Sequence, residues 1–204
     1  DEEETKSNTD PPWDASCSIF HPRIREADAR SMLDTATTYR KAFRSDWNKC
    51  LKKENRFLNI IKKGCTEPKA KAVVRTAEIM EKYYGKILQC FLTYCCMADA
   101  TNCSWMTFGA FAAFVDDADI ADEDSKSCRL ADIDTIFKAT DFDSTRGKSG
   151  NPGKSLTRSE FAESLIRMSQ AKFGGKNVDA HMTIERFLKH VFSRVGEAAN
   201  DFRA

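Results

Sequence analysis

"DIDTIFKATDFDSTRGKSGNPGKSLTRSEFAESL", Asp132 to Leu165, decides the fold. Its opening places Ile133, Ile136 and Phe137 on one face at helical spacing, and its end does the same for Phe161 and Leu165. Between them lies a stretch rich in Gly, Ser, Pro and Asn, which is loop chemistry. An amphipathic helix, a loop opening on acids, and a second helix with Glu160 in its first turn have the grammar of a calcium-binding helix–loop–helix. Such a loop has twelve residues, with oxygen ligands at positions one, three and five, glycine at six and a bidentate glutamate at twelve.

The count tests that reading. Glu160 fits position twelve and Leu156 the apolar position eight, but counting back puts Ser149 first and Lys154 at the glycine position. Starting instead at Asp141 and Asp143, four residues after Phe137, makes the loop twenty residues long, eight too many. The excess carries Arg146 and Lys148, cations beside a cation site. The candidate metal ligands are therefore Asp141, Asp143 and Glu160, and the expectation is that no cofactor is bound and that the specific calcium site has been lost.

The same unit is sought upstream. "SCRLADIDTI" (127–136) sets Asp132 opposite Glu160 and Ile133 opposite Phe161, after an acidic loop, "DDADIADEDSKSC" (116–128). That makes a two-unit repeat of the paired EF-hand kind. With Asp132 twelfth, Ala121 falls first and Lys126 sixth, so this loop also reads as an acidic solvated segment rather than a specific ion site. A pair without ions can still hold an apolar groove for a partner helix, fixed by packing instead of by calcium. The residues expected to form that groove and its core are Phe111, Phe114, Ile133, Ile136, Phe137, Phe161 and Leu165.

Working outward, residues 1–20 read as a disordered linker, because "DEEETKSNTDPP" is polar and ends on proline; the chain is expected to be a piece of a longer protein. Residues 21–103 read as a helical hairpin. One continuous helix is expected through "DTATTYRKAFRSDWNKCLKKENRFLNIIKK", burying Tyr39, Phe43, Trp47, Leu51, Leu58 and Ile61. A second follows Pro68, with Met80, Tyr84, Ile87, Phe91 and Cys95 in register, and "GCTEP" forms the turn. Lys49, Lys52, Lys53, Lys62 and Lys63 read as a solvated face. Residues 104–204 hold the paired units and a closing helix. The fold class is all-α.

Composition narrows function. With 32 basic and 31 acidic residues the net charge is +1, which makes no case for nucleic acid, and no apolar run is long enough for a membrane span. Several of the eight cysteines fall at apolar helical positions, so the reading is a reduced, intracellular, cytoplasmic protein, with a disulfide-bonded secreted helical protein as the alternative that the even count allows. The spacing of Cys90, Cys95, Cys96 and Cys103 lacks the paired knuckles of a structural zinc site. There is no phosphate loop, nucleophile elbow or His-Glu-x-x-His, and the chain is read as no enzyme.

The stretches "SWMTFGAFAAFVDDADIAD", "CRLADIDTIFKATD" and "LTRSEFAESLIRMSQAKF" together resemble the divergent paired EF-hand segment of ciliary and flagellar proteins of protists. The resemblance covers Trp105 to Phe173, a third of the chain. Phe114–Asp116 and Asp132–Phe137 are also similar to tubulin-polymerisation-promoting proteins. The resemblance implies a non-enzymatic structural or adaptor protein of a cytoskeletal assembly, in the cilium or flagellum axoneme, with tubulin or axonemal proteins as partners. A calcium-sensing regulatory protein is the alternative. Arg146, Lys148 and Lys154 then become a basic loop contact for an acidic partner surface.

Overall fold

The structure is a computed structural model that describes residues 36–53, 55–100, 102–141 and 154–201. The chain divides into a unit ending at Lys41 and one compact unit from Ala42 onward; of the first, only residues 36–41 are described. Asp143, Arg146 and Lys148 lie outside the described residues. The described chain is mostly helical, with seven helices and one short two-stranded sheet. The elements are α1 (Ala36–Lys52), α2 (Asn55–Lys62), α3 (Lys69–Ala98), β1 (Trp105–Thr107), α4 (Phe108–Asp117), α5 (Leu130–Thr140), β2 (Ser155–Thr157), α6 (Arg158–Phe173) and α7 (Ala180–Asp201). Among the described residues, no helix is long and apolar enough to cross a membrane.

The hairpin helix expected to run unbroken through residue 63 is two helices. The break falls at Lys53, whose N–H donates to the Cys50 carbonyl at 3.1 Å while its own carbonyl accepts from Arg56 N–H at 3.2 Å. These three-residue steps tighten and end α1. The break also turns the buried face. Phe43, Trp47, Cys50, Phe57 and Ile61 are buried, whereas Tyr39, Leu51 and Leu58 are only partly covered. Trp47 meets Phe57 edge-on at 5.3 Å across the break. In α3 the period holds, and Met80, Tyr84, Ile87, Phe91 and Cys95 are all buried.

The strand pair joins a different segment to 155–157 from the one the sequence alignment set beside it. β1 and β2 pair antiparallel, with Met106 opposite Leu156, and both of these side chains are fully buried. The structural twin of "SLTRSEF" (155–161) is therefore "WMTFGAF" (105–111), not "SCRLADI". Threonine opens the following helix in each case. Thr107 accepts the Ala110 N–H at 3.3 Å, and Thr157 forms a reciprocal cap with Glu160. Asp132, aligned with Glu160 in the sequence reading, instead caps α5 by accepting the Arg129 N–H at 3.0 Å. The acidic segment 118–129 is the connection between α4 and α5, so it is not one of the two loops that the strands join.

The core gathers around the ladder. Phe114 meets Phe161 edge-on at 5.2 Å, and α3 adds Tyr94 against Phe114 at 5.4 Å and Phe91 against Phe161 at 5.7 Å. Phe137 packs on Phe111 at 5.2 Å and on Phe108 at 5.0 Å. Ring pairs of this geometry add to ordinary apolar burial. Finally α7, whose Ile184, Phe187, Leu188 and Val191 are buried, packs on α3, α6 and α4.

Candidate functional site

The break after α1 places a cation where the sequence led us to look for calcium. Lys53 Nζ donates to the Thr140 carbonyl at 2.9 Å and lies 2.9 Å from Glu163 Oε2 and 3.8 Å from Glu160 Oε1. Thr140 is the last residue of α5, so its carbonyl has no helical partner, and a cation there meets the negative end of the helix. Glu160 and Glu163 face it from the first two turns of α6, where anions are favoured. The lysine expected on a solvated face is the exception among its neighbours: its ammonium donates to one carbonyl and ion-pairs with two carboxylates, and Glu163 Oε2, though paired in charge, accepts no hydrogen bond.

The remaining acceptors are also committed. Glu160 Oε2 takes the Thr157 N–H and hydroxyl, both at 2.8 Å. Asp141 is buried, and its Oδ2 accepts the Lys154 N–H at 3.2 Å. Glu163 is almost wholly buried and is held from its other side by Arg167, with Nη2 2.7 Å from Oε1. A divalent ion needs several free anionic oxygens converging at one point. Here Lys53 sits among them, and in the other helix–loop–helix unit the position equivalent to Glu160 is Ala110, which has no ligand atom. The residues present do not fit a calcium ion.

One face of α1 secures this arrangement at the start of α6. Asp46, Cys50 and Lys53 follow one another at helical spacing. Buried Asp46 accepts from the Tyr84 hydroxyl and from Arg158 Nε, and its Oδ1 takes Arg158 Nη2 at 3.1 Å. Cys50 Sγ donates to the Ser159 carbonyl at 3.2 Å. Burial pushes the Tyr84 hydroxyl well above its usual range, and its hydrogen bond to the Asp46 carboxylate adds to this. Bonding to Asp46 also raises Arg158, so the guanidinium stays charged. Burial, then the Glu163 charge, keeps the Cys50 thiol protonated, and burial lifts Cys90 and Cys95 to about 12.

The residues expected to form a groove divide between two settings. Phe111, Phe114, Ile133, Phe137, Phe161 and Leu165 are all buried; Ile136 is half-buried beside Ile60 and Arg167. Phe111 and Ile133 also form the floor of a shallow cleft of about 100 Å³ between α4 and α5. Phe108 and Leu130 stand at its edges, 40% and 59% exposed, and Asp116, Asp119 and Asp134 rim it. Of the basic loop, Lys154 is exposed, with a positive φ of 55°.

Sequence reasoning missed Lys53, Asp46 and Arg158. One signal was present, the shared "T-x-x-[A/E]-F" that follows Met106 and Leu156, which aligns the two units correctly. No signal links Lys53 to Glu163, which lie on separate helices. Comparison of the chain with protein-family models, curated proteins and solved structures finds no match in any of the three.

Proposed function

We propose that the chain is a non-enzymatic adaptor built on an EF-hand-like pair that keeps its shape without calcium, and that it docks a protein partner of a cytoskeletal assembly. The two helix–loop–helix units run α3–β1–α4 and α5–β2–α6, joined through their strands in the way paired EF-hand loops are joined. Lys53 supplies the positive charge that an ion would bring to the second loop. The axonemal setting rests on the sequence resemblance, and Lys154 with the neighbouring basic loop residues is offered to an acidic partner surface.

The observation that carries the docking reading is the cleft between α4 and α5. Two large apolar side chains, Phe108 and Leu130, stand open at its edge. Its acidic rim selects an amphipathic helix with basic flanks, by complementarity that sets orientation and rejects acidic competitors. A fluorescent Leu/Lys amphipathic helix should bind equally in EGTA and in calcium, and a Leu/Glu helix should not bind. Leu130→Asp, which places an acid on the apolar contact, should weaken binding at least tenfold, about 1.4 kcal/mol. Anisotropy titration checks this; wild-type affinity retained in Leu130→Asp would remove the cleft from the account. Microtubule co-sedimentation at low and moderate salt, with 144–154 replaced by a Gly/Ser linker, tests the basic loop in the same way.

A further inference from the structure

The turn between α2 and α3 and the connection between α6 and α7 meet backbone to backbone. Gly64 has a φ of 78°, and a Cβ there would stand 2.4 Å from the Gly175 carbonyl oxygen, so only glycine lets the two segments approach. The approach brings together residues more than a hundred positions apart. Ligand atoms of Glu67, Asp179 and His181 all lie within 4.8 Å of one another. Cys65 Sγ donates to Asp179 Oδ1 at 2.9 Å, and the Thr66 N–H donates to the same oxygen at 3.0 Å.

Two atoms of this cluster are left without an explanation by the protein itself. Glu67 Oε1 is held by Arg75 Nη1 at 2.5 Å, yet Glu67 Oε2 is buried with no hydrogen bond. His181 Nδ1 is likewise buried and unpartnered. Buried polar atoms of native proteins are nearly always satisfied, and the exceptions call for a ligand or a function. Both atoms here are metal donors.

We propose that Cys65, Glu67, Asp179 and His181 form a site for a transition-metal dication of the zinc type. An imidazole and a thiolate with two carboxylates make a four-donor set that suits zinc and disfavours calcium and magnesium, which prefer all-oxygen shells. Donors about 2.0–2.3 Å from zinc stand roughly 3.3–3.8 Å apart, so Glu67, Asp179 and His181 close by about 1 Å on binding, while Cys65, which lies outside that group of three, is brought in through its contact with Asp179. Cys65 releases its thiol proton to solvent, and its bond to Asp179 is replaced by two metal–ligand bonds. Arg75, on the far oxygen of Glu67, orients that carboxylate and offsets the excess of negative charge over the dication. The bound metal staples the α2–α3 turn to the α6–α7 connection. This site is separate from the Lys53 site and does not depend on the adaptor reading.

The test is titration of the reduced full chain with Co²⁺, followed by displacement with Zn²⁺. One equivalent should give the near-ultraviolet thiolate-to-metal band and intense visible bands of a tetrahedral Cys-ligated ion, and zinc should abolish both. His181→Ala and Glu67→Gln should each weaken binding by at least about tenfold. Cys65→Ser should remove the near-ultraviolet band while the melting temperature still rises with zinc, by less than in wild type. The wild-type titration needs no variant to fold, so absence of stoichiometric binding there overturns the proposal. A band unchanged in His181→Ala but lost when the exposed Cys96 and Cys103 become serine overturns it equally.

Discussion

Phe161→Ala lowers unfolding stability by about 3–5 kcal/mol. The ring is fully buried and touches Phe114 from the first helix–loop–helix unit and Phe91 from α3. Truncation leaves a cavity at the point where three helices meet, and because the strand pair fixes the spacing of α4 and α6, the walls close on it poorly. Urea melts check this through the midpoint at unchanged slope. A loss below about 1 kcal/mol would place the mechanical centre of the unit elsewhere. Ile136→Ala, at a half-buried position, provides the contrast and should cost clearly less.

Asp46→Ala should cost about 3 kcal/mol, the lower end of the range for breaking a buried charged pair. The carboxylate is 98% buried by its surroundings, with side-chain exposure of only 2%, and removing it strands the Tyr84 hydroxyl and the Arg158 guanidinium together. Arg158 is about a third exposed and recovers hydration, which keeps the loss from being larger. Two measurements separate lost polar contacts from lost packing: Asp46→Asn should retain part of the network, and the double variant with Tyr84→Phe should lose less than the sum of the single losses. Strict additivity would show that the two groups act independently, against the geometry.

How much of this was legible follows from what each signal depends on. The helices were readable because their apolar residues recur at a helical period, as from Met80 to Cys95. The strands were not, because three residues carry no period, and it was the strand pair that fixed which segments are twins. The cluster of acids at 116–124 drew the alignment toward the wrong loop; composition marked a solvated connection, while the quieter match of Met106-Thr107 to Leu156-Thr157 marked the structural one. Burial of Phe114, Phe137 and Phe161 was foreseeable from their spacing. The positions of Lys53 and Asp46 were not, since a charged residue on a helix face is read as solvated until the facing helix is known. The meeting of Glu67 with Asp179 and His181 depends on Gly64 closing against Gly175, a contact between distant segments that no local pattern records.

The central claim is that Lys53 fills the role a calcium ion would have at the second loop, so that the fold and its partner cleft are independent of calcium. Isothermal titration of the reduced chain with calcium tests it most directly. No saturable heat and no change in melting temperature are expected on adding calcium. A saturable heat at micromolar calcium that disappears in Glu160→Gln would contradict it and make the chain a calcium sensor.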